Sequence, residues 1–332
     1  MLVLTKSALL AWLGQLAKTH RLIAPLQVNG LTLFSVTNNV EDIILDFANT
    51  TLSPKEWFFP ATETLFTMEN GDNAALVGTE VKEKSIIFGI RPCDALGLAV
   101  LDKPFLDTPA DVNYRQHREA TVLIGLACTK ASPECFCTSL GTAPDDASHV
   151  DILLTPAGDS YSVKTTTEKG KALLALVKGA KDEPVTVAAP PLPTRVSTKA
   201  ISETMRRVFE SPYWNRLADR CLHCNLCSYV CPVCYCFDIR DDTVHGKIER
   251  LRTWESCQSA GFTRIAGGYD PRPTKGARLR QRFYHKLLYM PENFAVTGCT
   301  GCGRCVKHCP VNIDIREVIT EVQKIGASNA VR

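Results

Sequence analysis

Two short strings of cysteine constrain this chain more than anything else in it. "CLHCNLCSYVCP" runs from Cys221 to Pro232 and "CTGCGRCVKHCP" from Cys299 to Pro310. Both read C-x2-C-x2-C-x3-C-P, so any fold must bring eight thiols, closely spaced along the backbone, to two neighbouring places. Three cysteines at this spacing wrap one corner of an iron-sulfur cube. The fourth, turned away by the longer spacing and the proline, reaches across to the other cube. On this logic one 4Fe-4S cluster takes Cys221, Cys224, Cys227 and Cys309, and the other takes Cys299, Cys302, Cys305 and Cys231.

The spacing is that of bacterial two-cluster ferredoxins. Zinc is the alternative, but its tetrahedral site has four ligands and a C-x2-C-x2-C triplet supplies one sulfur too many per knuckle. The 67 residues between Cys231 and Cys299 exceed a short ferredoxin hairpin and read as helical, which predicts a helical ferredoxin-type domain. Fifteen cysteines in 332 residues, packed in strings and odd in number, do not fit a secreted disulfide framework. They point to metal ligation in a reducing, cytoplasmic compartment.

With 45% hydrophobic residues the chain can bury two domain cores, and its net charge of +3 gives no global field for nucleic acid. The amino-terminal stretch reads as a surface helix and not as a signal peptide. Leu9, Trp12, Leu13 and Leu16 fall at helical spacing, Thr5 or Ser7 can cap it, and no cleavage site follows. No run reaches the length of a spanning helix, so direct membrane insertion is not expected.

Short β-like runs follow: "AALVG" near Leu76, "SIIFGI" at Ser85 to Ile90, "TVLIGLA" at Thr121 to Ala127 and "DILLT" at Asp151 to Thr155. The expected class is α+β. Residues 1–183 form a mixed α/β domain, 184–200 a proline-rich linker with Pro184, Pro190, Pro191 and Pro193, and 201–332 the helical dicluster domain. In the last of these, "GARLRQRFYHKLLYM" places Leu279, Phe283 and Leu287 on one face and Arg278, Arg282 and Lys286 elsewhere.

Seven cysteines lie outside the strings. Cys93 and Cys128 each follow an apolar β-like run, so neighbouring strands could bring them together, with Cys135 and Cys137 arriving on the next loop. Four such thiolates could hold a third 4Fe-4S cluster; the alternative is ordinary burial of small apolar side chains. Cys234, Cys236 and Cys257 lack an apparent fourth partner. They read as thiols lining the clusters or as ligands of an extra site completed by another residue.

Clustered iron-sulfur cubes carry negative charge, which buried cations can offset. From Arg240 to Met290 the chain has eleven basic side chains against five acidic ones, an excess of six. Some of these would face the clusters and others a solvated helix surface. The basic residues lack the interleaved aromatics of a single-strand platform. "GCTGCG" at Gly298 to Gly303 follows no strand and is not a dinucleotide motif. His223 and His308 sit at non-ligand positions inside the strings, where they would tune hydrogen bonding.

Taken together, "RPCDALGL", "ACTKASPECFCTSLGT", "CLHCNLCSYVCPVCYCFD", "WESC", "AGGYDPRPTKGARLRQRFYHK" and "CTGCGRCVKHCPVNIDI" resemble a 4Fe-4S dicluster family. That family includes the sulfhydrogenase (nickel-iron hydrogenase) beta subunit and the corresponding iron-sulfur subunit of anaerobic sulfite reductase. The resemblance spans about Phe59 to Val318. It implies an electron-transfer subunit of an anaerobic oxidoreductase, set between a flavin- and NAD(P)H-binding subunit and a catalytic redox subunit. It also implies that Cys93, Cys128, Cys135, Cys137, Cys234, Cys236 and Cys257 belong to the family pattern. The leading expectation is a relay without a catalytic site of its own. The alternatives are a reductase subunit whose N-terminal cluster binds substrate, and a nucleic-acid-binding iron-sulfur protein.

Overall fold

The computed structural model describes residues 2–69, 75–182, 184, 187, 195–244 and 247–329. Most of the proline-rich stretch therefore lies outside the described residues. Twelve strands are present among them: β1 (Leu2–Thr5), β2 (Arg21–Val28), β3 (Leu31–Val36), β4 (Thr62–Glu69), β5 (Leu76–Gly78), β6 (Ser85–Ile90), β7 (Thr121–Leu126), β8 (Ile152–Ala157), β9 (Ser160–Thr165), β10 (Lys181–Asp182), β11 (Phe237–Val244) and β12 (Lys247–Trp254).

Eight of them form one sheet in the order β10-β1-β9-β8-β7-β6-β2-β3. Its centre, β2-β6-β7-β8, is parallel, and the flanks are antiparallel. The central strands are apolar on both faces because helices or loops cover both. Ile86, Phe88, Ile124 and Leu126 pack with the first helix (Lys6–Leu16) on one side, and Ile87, Ile90 and Leu123 pack with the helix Pro92–Phe105 on the other. The first helix buries Leu9, Trp12, Leu13 and Leu16, and Thr5 caps it by accepting from the Ala8 N–H at 3.2 Å.

The carboxyl ends of a parallel sheet are where loops gather functional side chains. β6 and β7 are parallel neighbours, so Arg91–Cys93 and Ala127–Cys128 leave the sheet side by side.

Residues 201–332, expected as a helical unit, are not helical throughout. The helices Ile201–Arg207, Tyr213–Arg220, Lys275–Tyr284 and Ile315–Asn329 share a core of Met205, Trp214, Phe283, Leu287, Val318 and Ile319. Between the strings, however, β11 and β12 pair in register from Phe237↔Trp254 to Val244↔Lys247. Alternating residues such as Ile248, Arg250 and Arg252 suit a pleated ribbon better than a helix face. β12 also pairs with β4, whose other edge takes β5, so this second sheet joins both halves of the chain.

Arg252 fixes that junction. Its guanidinium is buried, bonds Glu63 at 2.5 Å, pairs with Asp111, and stacks near the rings of Phe59, Phe105 and Phe237. Among the described residues no helix is long and apolar enough to cross a membrane.

Candidate iron-sulfur centres

Each string is a short turn of helix flanked by loops. Leu226–Tyr229 carries Cys227, and Arg304–Lys307 carries Cys305. The residues before these turns take left-handed backbone, at Asn225 with φ 64° and Gly303 with φ 77°, which curls the chain back on its own thiols. Neighbouring amides then point at sulfur. His223 N–H lies 3.4 Å from Cys221 Sγ, Ile313 N–H 3.2 Å from Cys309 Sγ, and the Gln258 side-chain amide 3.1 Å from Cys227 Sγ.

Cys221, Cys224, Cys227 and Cys309 line one cavity, together with Cys305, Arg282 and Phe283. Cys227, Cys309 and Cys224 are the thiols that act on Cys221 electrostatically. Cys231, the fourth cysteine of the first string, stands instead beside Cys299, Cys302 and Cys305. Cys231 thus neighbours the thiols of the second string, and Cys227 of the first string lies within electrostatic reach of Cys305.

The dispersed cysteines gather against the second string. Cys137 feels Cys128 and Cys135, and burial followed by these two thiols pushes its own thiol up to about 11. Cys93, buried at the start of the helix Pro92–Phe105, is within electrostatic reach of both Cys128 and Cys302. Cys135 Sγ is 3.7 Å from the Cys302 carbonyl oxygen, and the Phe136 N–H donates to the Gly301 carbonyl at 2.8 Å. Contact this close needs glycine. A Cβ on Gly301 would sit 2.5 Å from the Cys137 nitrogen, and one on Gly303 would sit 2.7 Å from the Glu134 carbonyl.

The second string is pinned to the α/β half by a buried ion pair. Arg304 holds both oxygens of Asp94, at 2.5 and 2.8 Å, and donates to the Thr50 carbonyl and hydroxyl and to Asn49. Asp94 follows Cys93, so one helix start supplies a thiol and its anchoring carboxylate. Asn49 also donates to the Cys302 carbonyl at 3.1 Å.

Cys234, Cys236 and Cys257 form a fourth group beside Cys231. The ladder that pairs Phe237 with Trp254 also draws Cys236 against Cys257, with Glu255 N–H on the Cys236 carbonyl. Hydrogen bonding with Cys257 holds the Cys236 thiol down at about 7. Cys234 lies against Cys231.

Only a few of the eleven basic side chains turn inward toward thiols. Lys286, in a π-helical turn at His285–Tyr289, donates from Nζ to Cys231 Sγ at 3.1 Å and to the Gly298 carbonyl at 3.0 Å. Burial pulls its ammonium down, yet Cys231 and Cys234 hold it above the ordinary lysine value. Arg282 is buried between Cys227, Cys305, Cys234 and Cys231. Arg252 is buried but paired with carboxylates, and Arg250 pairs with Asp241 at the surface. Lys55, Asp94, Arg304, Asn49 and Gln258 carry no sequence signal of their own, apart from the place of Asp94 and Arg304 beside cysteines.

The pocket chemistry fits iron-sulfur clusters. Buried polar atoms without a partner concentrate here: both ring nitrogens of His223, Asn225 Oδ1, Gln258 Oε1, Arg278 Nε, Arg282 Nε and Nη2, and Thr300 Oγ1. Several of these are N–H donors, which bridging sulfides and thiolates would satisfy. Among the described residues no three His, Cys, Asp or Glu side chains converge as a single metal ion requires. A cubane spreads its four thiolates more widely, one to each iron.

The comparisons with known proteins agree. Residues 220–313 match the 4Fe-4S dicluster domain family. Over 326 residues the chain is 29% identical to the sulfhydrogenase 2 subunit beta of Pyrococcus furiosus, covering 94% of this chain and 95% of that protein. No solved structure matches the chain. The chain is thus related to a hydrogenase beta subunit, and its residues 220–313 resemble a 4Fe-4S dicluster domain.

Proposed function

We propose that this dicluster protein, a relative of a hydrogenase beta subunit, is the electron-relaying subunit of a multisubunit oxidoreductase. Cys221, Cys224, Cys227 and Cys309 would hold one 4Fe-4S cluster, and Cys299, Cys302, Cys305 and Cys231 a second. A third would sit on Cys128, Cys135 and Cys137 with Cys93. Bound clusters supply reversible one-electron storage.

The observation that carries the reading is the succession of thiol groups through the molecule. It begins at Cys224, which is exposed, continues through buried Cys302 and ends at half-buried Cys135 and Cys137. Neighbouring groups come within electrostatic reach at Cys227 and Cys305, and Cys135 meets the Cys302 carbonyl. A succession of thiols that reaches solvent at Cys224 and approaches it at Cys135 and Cys137 suits a relay between partners better than a closed catalytic pocket. Around it, the chain's own residues fix the electrostatics. Lys286 and Arg282 neutralise the thiolates of the strings, Arg91 lies under Cys93 and Cys128, and amides donating to sulfur favour the more reduced state.

On this reading the partners are a flavin- and NAD(P)H-binding subunit and a catalytic redox subunit of hydrogenase or sulfite reductase type. The test is to purify the chain anaerobically, alone and with the subunits that accompany it. Alone, it should show reducible clusters by electron paramagnetic resonance but no turnover of hydrogen or sulfite. In the complex, its clusters should be reduced by NAD(P)H. Turnover by the isolated chain would sink the relay reading.

A further inference from the structure

The twelve thiols just assigned leave Cys234, Cys236 and Cys257, and the surroundings of these three are unusual. Lys55 enters from the turn Pro54–Trp57 of the other half of the chain and is only 2% exposed. Its Nζ donates to the Cys234 carbonyl at 2.8 Å and lies 3.9 Å over the ring of Trp254. Among the described residues it has no carboxylate within ion-pair distance. Burial pulls its ammonium down, and Cys234, Cys231 and Cys236 are the thiols whose negative charge would hold it charged, with the Glu56 carboxylate farther off.

A buried ammonium without a counter-charge costs several kcal/mol. One carbonyl and one indole face soften that cost without removing it. The same holds for Arg282, which is 4% exposed and has Nε and Nη2 unpartnered, with Cys234 among the thiols it faces. Lys286, with no carboxylate partner either among the described residues, also faces Cys234 after Cys231. The string thiolates account for Lys286 and Arg282, but Lys55 is aimed at Cys234 and Cys236.

We propose that Cys234, Cys236 and Cys257 bind a further iron-sulfur cluster through three thiolates, set beside the second string site and neutralised by Lys55. The β11–β12 ladder brings Cys236 to Cys257, and the C-x-C spacing adds Cys234. Tyr235, between them, turns its hydroxyl to His285 at 3.1 Å and Met290 Sδ at 3.5 Å, so it does not supply a fourth ligand. Three thiolates match a 3Fe-4S cluster, or a 4Fe-4S cluster with one corner on a non-cysteine ligand. A dithiol that only opens and closes as a disulfide would use Cys236 and Cys257, take the Cys236 charge away from Lys55 and leave Cys234 without a role.

The test uses the full chain, purified anaerobically, with iron, sulfide and cluster types quantified by chemical assay and Mössbauer spectroscopy. Cys236→Ala and Cys257→Ala should each remove about three to four iron atoms per chain and one spectral component. The component assigned to the strings should persist. Lys55→Met keeps all three thiols, and should shift the midpoint potential of that one component downward while leaving the others in place. An unchanged iron count in the cysteine variants overturns the proposal. If those variants fail to fold, the wild-type chain decides. A total of about 12 iron or fewer, with one cluster's worth lost from a Cys128→Ala variant, leaves no iron for this site and overturns it. A total nearer 15 or 16 supports it. Failure here would leave the string clusters, and the relay built on them, untouched.

Discussion

The string cysteines and the dispersed cysteines reach similar surroundings by opposite routes. In the strings, each thiol is a few residues from the next, and a left-handed residue at Asn225 or Gly303 is enough to aim several at one point. In the group of Cys93, Cys128, Cys135 and Cys137, Cys93 and Cys128, 35 positions apart, meet only because β6 and β7 are parallel neighbours. Local closure costs little chain entropy, while closure through a sheet draws on the whole fold. The first kind of site is therefore written in spacing and the second in topology. The two kinds also touch, through Gly301 and Arg304.

Removing one cysteine from each kind should break the comparison most sharply. Cys231→Ala is expected to empty the site of Cys299, Cys302 and Cys305 and to spare that of Cys221, with about four iron atoms lost. Cys128→Ala should lose a similar number from the dispersed site alone. Iron assay with electron paramagnetic resonance checks both, and loss of only the first-string signal from Cys231→Ala would refute crossed ligation. Next in size is the link between the regions. Asp94→Asn leaves Arg304 buried without its anion and should destabilise the protein by about 3–5 kcal/mol, read by denaturant unfolding. The smallest effect concerns the backbone contact. Gly303→Ala meets Glu134 as well as the left-handed penalty, whereas Gly267→Ala, with φ 88° and open space around it, meets only the penalty of about 1–2 kcal/mol. A larger loss at Gly303 than at Gly267 is expected, and equal losses would mean that the loop moves aside freely.

Much of the fold is legible in the chain. The runs at Ser85 to Ile90 and Thr121 to Leu126 are strands, and the spacing of Leu9, Trp12, Leu13 and Leu16 marks a buried helix stripe. The hairpin of β11 and β12 is not. Its charged, alternating residues, among them Asp241, Asp242, Arg250 and Arg252, look like a solvated helix until β4 supplies Glu63 from far upstream to take one of the charges. The same hairpin explains why Cys257 has no visible partner along the chain, since its neighbour Cys236 is 21 positions away and meets it only across the ladder. Lys55 is hidden for the same reason, as a lysine in a Ser-Pro turn carries no local hint of burial. The basic excess between the strings is real, but its members split between thiols, carboxylates and solvent in a way that only packing decides.

The pairing of β4 with β12 has a consequence for how the protein is made. Glu63 and Arg252 are separated by 189 positions, so at a synthesis rate of 5–20 residues per second the upstream strand waits about 10–40 s for its partner to emerge. During that interval β4 has only the three-residue β5 along one edge, and the other edge is bare. The hairpin that completes the sheet also carries Cys236 just before its first strand and Cys257 just after its second. Until Phe237–Trp254 has emerged and paired, the bare edge of β4 is therefore an open template for wrong partners, and the lateness of the hairpin sets how long that hazard lasts.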